Sequence, residues 1–135
     1  MQRSPRFLVP GLPLLALLLI GAGCTSSITN LTPTAVPRNP TGLYHFETQW
    51  TSNQRSRELR RDLIRAYVVV DEQAHFMEPV ARMPDRWETD VPIPEGKSVV
   101  YYHYKWDYAT AGFNRNVPNS LRSQAYRLEI LDPAP

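Results

Sequence analysis

Cysteine is almost missing from this chain: one, Cys24, in 135 residues. That excludes an internal disulfide and leaves no thiol catalyst elsewhere. Glycine is also scarce. Of six glycines, Gly11, Gly21 and Gly23 fall in the first 23 residues, and the remainder is too poor in glycine for a phosphate-cradling loop. Excess charge is lacking as well. The formal charge of +2 rests on Arg3 and Arg6, and without the first 23 residues 13 basic residues face 13 acidic ones. Such a balance offers no global field for nucleic acid or anionic lipid. No Ser-His-Asp order and no cofactor fingerprint occurs, so no cofactor is expected. Proline, by contrast, is plentiful. Thirteen of them argue against a helix-dominated fold, because each removes a backbone donor and fixes φ.

The first residues, MQRSPRFLVPGLPLLALLLIGAGCTSS, carry two arginines, an apolar run from Phe7 to Ile20, and small residues ending at Cys24. This is the order of an export signal. The run is shorter than the ~20 residues that span a bilayer, and Pro10 and Pro13 interrupt it. IGAGC at positions 20–24 also resembles the lipobox of bacterial lipoproteins. The resemblance implies cleavage before Cys24 and a diacylglyceryl group on its thiol. Gly21 stands where that family prefers leucine. Two acyl chains hold a protein firmly on a membrane where one does so only marginally. Thr25 follows, not the aspartate that resembles an inner-membrane retention signal, so the resemblance points to the outer membrane.

Three parts are therefore expected: a signal peptide over 1–23, a lipidated cysteine and tether over 24–42, and a folded domain over 43–135. The tether, TSSITNLTPTAVPRNPTG after Cys24, is rich in Ser, Thr and Pro, although Ile28 and Leu31 could dock as a short first strand.

From Leu43 onward the apolar period is two, the period of a strand. Tyr44, Phe46, Thr48 and Trp50 share a face; so do Trp87, Thr89, Val91 and Ile93; so do Tyr126, Leu128 and Ile130. SVVYYHYKWDY at 98–108 sends Val100, Tyr102, Tyr104, Trp106 and Tyr108 to one side. Val99, Tyr101, His103, Lys105 and Asp107 take the other. Four of the five aromatics thus belong to a core opposite Trp87, Trp50 and Phe46, and Tyr101 alone is left for the surface. Counting runs predicts about seven strands, at 43–52, 57–64, 66–71, 75–79, 86–92, 98–108 and 124–131. That number in one short domain predicts an all-β fold, a single antiparallel immunoglobulin-like β-sandwich. In RSRELRRDLIR the helical spacing of Leu59 and Leu63 leaves a single helical turn as the alternative. PEGK predicts a tight turn with Pro94 second and Gly96 fourth.

RWETDVPIPEGKSVVYYHYKWDY, residues 86–108, resembles the tryptophan strand, Leu-Pro-x-Gly turn and Tyr-Lys strand of starch-binding and related immunoglobulin-like (E-set) modules. Trp87 stands at the structural tryptophan, and Tyr104-Lys105 at the pair whose lysine contacts sugar in starch binders. That family's two sugar-stacking tryptophans have no counterpart here.

Four groups of side chains invite a chemical reading. Glu88 and Asp90 share a strand face at a separation that two glycosidase carboxylates can use, but neighbouring carboxylates on an outer face are ordinarily solvated. His45, His75 and His103 fall on separate strands without metal-ligand spacing, so no metal is expected. Arg55, Arg57, Arg60, Arg61 and Arg65 could grip phosphate or carboxylate, yet Glu58 and Asp62 are interleaved and a charged edge strand accounts for them. Tyr101, His103 and Lys105 form an outer stripe on which a sugar could stack and hydrogen-bond. The sequence thus predicts a non-enzymatic, lipid-anchored module at the cell envelope. Its partners would be the membrane and an envelope glycan, or alternatively a protein assembly; nucleic acid is not expected. A hydrolase is the remote third reading.

Overall fold

The computed structural model describes residues 26–52 and 58–135; residues 1–23, Cys24, Arg55 and Arg57 lie outside them. The described chain is all-β. Its strands are β1 (Ser27–Asn30), β2 (Ala35–Pro37), β3 (Leu43–Thr51), β4 (Arg65–Val70), β5 (Gln73–Pro79), β6 (Arg86–Pro92), β7 (Val99–Ala111), β8 (Asn116–Arg122) and β9 (Tyr126–Leu131). They make one curled, mostly antiparallel sheet in the order β1-β3-β6-β5-β4-β7-β9-β2, with β8 also on β7.

The period-two pattern explains the curl. Each strand has one apolar face, and a single sheet can bury that face only by bending over itself. The bend falls at β5. Residues Gln73 to Met77 pair with β4, whereas Glu78 and Pro79 pair with β6. One half of the sheet thereby faces the other across an aromatic core. Phe46 meets Tyr102 edge-on at 4.9 Å, and Trp50, Trp87 and Trp106 lie 5.7–6.3 Å from one another. Tyr102, Tyr104 and Trp106 are fully buried as the alternation in 98–108 requires. Each such burial contributes about 1.5–3 kcal/mol. Among the described residues the indole N–H groups of Trp50 and Trp106 find no hydrogen-bond partner, so part of that gain is offset.

Residues expected to be tether take part in the sheet. β1 pairs with β3 at one edge and β2 pairs in parallel with β9 at the other, so residues 27–37 cross the seam between the two edges like a strap. Beneath it lies a buried polar cluster. Tyr104 Oη lies 2.8 Å from both Thr32 Oγ1 and Asn30 Oδ1 and 3.0 Å from the Glu47 carbonyl; Asn30 Nδ2 donates to Tyr102 Oη at 2.9 Å. Burial holds both phenols above the ordinary tyrosine value.

Three local expectations need correction. The strand expected over 57–64 is not formed in its described part. Leu59 makes an isolated bridge to Thr110, and Arg61–Leu63 is a 3₁₀ turn. Only Leu59 is buried there, and Leu63 is exposed, so the segment has no apolar face to lay on a sheet. The PEGK turn falls one residue later, closed by Lys97 N–H to the Pro94 carbonyl at 3.0 Å, with Glu95 and Gly96 central. Finally, β8 falls outside every expected strand, and the strand expected over 124–131 is formed over 126–131. β8 and β9 lie along the same edge of β7, separated by a break at Ser123, whose hydroxyl accepts from Tyr104 N–H at 2.8 Å.

Candidate functional site

The outward face of β5, β4 and β7 holds the predicted stripe. Tyr101 is 61% exposed, and with His103 it lines an open depression of about 490 Å³. Asp71, Glu72, Lys97 and Arg122 complete the polar part of the wall. The β4–β5 hairpin supplies the first two through a two-residue turn in which Asp71 and Glu72 have φ of 45° and 71°. Such a turn ordinarily takes Asn-Gly, because side chains resist positive φ. Here it is tied down by Asp71 N–H donating to the Tyr101 carbonyl at 3.2 Å and Lys97 Nζ donating to Asp71 Oδ2 at 2.9 Å. Backbone strain of this kind concentrates beside functional surfaces.

His103 faces Arg122, whose Nη2 lies 3.5 Å from Nδ1. Partial burial, then the Arg122 charge, lowers its pKa from the ordinary imidazole value. The ring is neutral near pH 7 and retains an acceptor nitrogen. Lys105 is on the same face but not in the depression. Its ammonium pairs with Asp107 at 3.0 Å, further along the strand from Tyr101, and sits 5.9 Å from the centre of the Tyr67 ring. The structure therefore joins Tyr101 to His103 and directs Lys105 elsewhere.

Periodicity did not disclose a second cluster on this face. Tyr67 stands opposite Phe76 on one side and Lys105 on the other, and Lys105 stands opposite Arg122. The Tyr67 and Phe76 rings meet edge-on at 5.8 Å, and Phe76 is exposed. Each residue sits in an unremarkable run; only the register brings them into one row.

Most of the remaining candidates have polar partners of their own. His45 lies 2.9 Å from Asp90 and 3.5 Å from Glu88, and Glu47 lies 3.3 Å from Arg86. His45, Glu47 and Glu88 bring ligand atoms within 4.8 Å of one another, a donor set that divalent metals use, assembled by cross-strand pairing that His spacing does not reveal. His75 is on β5, away from both other histidines in the strand order. Arg60 pairs with Asp62 and donates to Asn116, Arg61 pairs with Asp85, and Arg65 donates to the carbonyls of Asp62 and Ile64. Among the described residues no helix is long and apolar enough to cross a membrane. No protein-family model matches the chain, and no curated protein matches it significantly.

Proposed function

We propose that the chain is an exported lipoprotein, held on a membrane through a diacylglyceryl group on Cys24. Its folded part is a non-catalytic binding or structural module of the immunoglobulin-like sandwich type, at the cell envelope and on the outer membrane in preference to the inner. The observation that carries the anchoring is the run from Arg3 through Ile20 to Gly21-Ala22-Gly23-Cys24. A lone thiol there has a natural role as a lipid attachment point. The way β3 and β6 face β4, β7 and β9 over one core supports the sandwich description. Glu88 and Asp90 both stand open to solvent on an outer strand face, which supports a module without hydrolytic chemistry.

The binding surface in this reading is the depression around Tyr101. Its ring offers an apolar face to a pyranose, and His103, Arg122, Asp71 and Lys97 surround it with donors and acceptors for sugar hydroxyls. With one aromatic platform, affinity is on the order of millimolar, about −4 kcal/mol. A protein partner is the second reading. The row Phe76, Tyr67, Lys105 and Arg122 favours it, since aromatic residues and arginine are enriched where protein interfaces are made.

Intact-mass measurement tests the anchor. A diacylglyceryl increment on Cys24, with Cys24→Ser left unprocessed or released from membranes, is the expected result; a free thiol in the membrane-extracted protein sinks it. For the surface, Tyr101→Ala should abolish retardation by polysaccharide on a native gel while Phe76→Ala leaves it intact. If wild type is not retarded by glucans or peptidoglycan, and Phe76→Ala instead loses a co-purifying envelope protein, the partner reading replaces the glycan one.

A further inference from the structure

Four exposed large apolar side chains collect at one end of the domain: Leu63, Met83, Phe113 and Val117. It is the end from which the chain leaves toward Cys24. The connections can be followed atom by atom. Ser27 pairs with Thr51, and Trp50 N–H donates to the Asp85 carbonyl at 3.0 Å, which puts the Met83 loop beside the start of β1. Asp85 holds Arg61 at 3.1 Å, and the neighbouring Arg60 holds Asn116 at 3.0 Å, at the base of the β7–β8 hairpin. That hairpin ends in Phe113, which is 98% exposed. Its turn is closed by Gly112 N–H to the Arg115 carbonyl at 2.8 Å. A Cβ on Gly112 would meet that carbonyl oxygen at 2.8 Å, so the tight turn requires glycine.

Reach decides what this end can meet. Ile28 is paired with Trp50, and the Trp50 ring lies 5.0 Å from that of Tyr108. These three mark one level in the domain. Cys24 is four residues before Ile28 and can extend at most about 14 Å beyond that level. Phe113 is five residues past Tyr108, about 17 Å beyond it along the hairpin at ~3.3 Å per residue. Phe113 therefore projects as far as the anchored cysteine can. A lipid-bound Cys24 cannot hold the domain away from the headgroups, and the hairpin tip must meet them. Charge agrees with apolarity. Arg60 and Arg61 are neutralised by Asp62 and Asp85, whereas Arg82 and Arg115, both exposed, pair with no described carboxylate.

We infer that this end is a membrane-seating face. Phe113 enters the headgroup–acyl boundary, Met83 and Val117 flank it, and Arg82 and Arg115 meet anionic lipid phosphates. The inference rests on lipidation of Cys24 and adds a fixed orientation to it. Interfacial side chains of this type bury about 5–10 Å into the boundary. The depression at Tyr101, ten residues up β7 from Ala111 and roughly 33 Å away, then faces outward from the membrane.

The test uses the lipidated full-length chain in vesicles of phosphatidylethanolamine with phosphatidylglycerol as the minor component, with ordinary or dibrominated acyl chains. Phe113→Trp should lose roughly half of its added emission to bromine. Tyr101→Trp should lose no more than the wild-type tryptophans do. Arg82→Glu with Arg115→Glu should reduce quenching of the residue-113 probe. Because Phe113 is exposed, Phe113→Trp is expected to melt as wild type does, which checks its fold. An unquenched probe at 113 on a chain whose mass shows the diacylglyceryl group overturns the seating and leaves the anchor standing. A probe at 113 shielded by a co-purified protein and not by bromolipid overturns it in favour of a protein contact. A free thiol at Cys24 removes anchor and seating together.

Discussion

Replacing Tyr104 by phenylalanine separates the strap from the core beneath it. The ring stays, and only the hydroxyl that touches Thr32, Asn30 and the Glu47 carbonyl is lost. Its former partners are not fully orphaned. Thr32 Oγ1 can donate to the Glu47 carbonyl at 3.3 Å, and Asn30 Oδ1 keeps the Thr32 N–H at 3.1 Å. The cost should therefore be that of a net hydrogen bond with some imperfect burial, about 1–2 kcal/mol. Thr32→Val should cost a similar amount, because Glu47 N–H loses its acceptor at 2.9 Å. Since the two hydroxyls touch, the double variant should lose about 1 kcal/mol less than the sum. Urea melts read this directly. With a slope of about 1–3 kcal/mol per molar, Tyr104→Phe should lower the midpoint by about 0.5–1 M at unchanged slope. Additivity within about 0.3 kcal/mol would refute the coupling and, with it, the claim that this contact fastens the strap.

Trp106→Ala should cost about 3–5 kcal/mol, the range for deleting a buried aromatic, while Lys105→Ala, which removes one half-exposed ion pair, should stay within about 0.5 kcal/mol; equal losses would mean a wrong register. Glu72→Gly should stabilise the fold by up to about 1 kcal/mol by relieving positive φ, and a lower melting temperature would argue against strain at that turn. Alkaline pH should unfold the protein. Tyr102 and Tyr104 are raised by burial, so the native state keeps protons that the unfolded state sheds. Stability is complete below the unfolded value of ~10 and falls as pH climbs past it. Ultraviolet titration should show two phenols that ionise only as the fold is lost, and seven phenols titrating together in the folded state would contradict this.

β7 was legible because five large side chains alternate without a break, and a half-buried strand is the arrangement that places them on one face. β8 was not, because NVPNSLR is exposed along nearly its whole length. It has no buried face to write an alternation, and Pro118 is tolerated only because the strand is an edge. β1 and β2 were hidden for a different reason. Ser, Thr and Pro are what a tether contains, and what orders them is pairing with other strands, β1 with β3 and β2 with the distant β9. The same division holds at the surface. Tyr101 and His103 follow from the period of one strand. Tyr67, Phe76 and Arg122 join the face through registers between strands, which no local pattern encodes.

The strap also bears on when the protein can fold. Val36 pairs with Ile130, and Asn30 reaches Tyr102. If the proposed export holds, β2 is among the first segments to emerge and its partner β9 is the last. Contacts of such long separation pay their loop-closure entropy before returning any stability, and they form late. On the proposed export route, a chain still passing through a translocation channel would hold β2 without the strand that orders it. That end of the strap would stay unpaired until β9 is out. An anchored start and a distant finish would then make closure of the seam the final event in maturation, after lipid attachment and not before it.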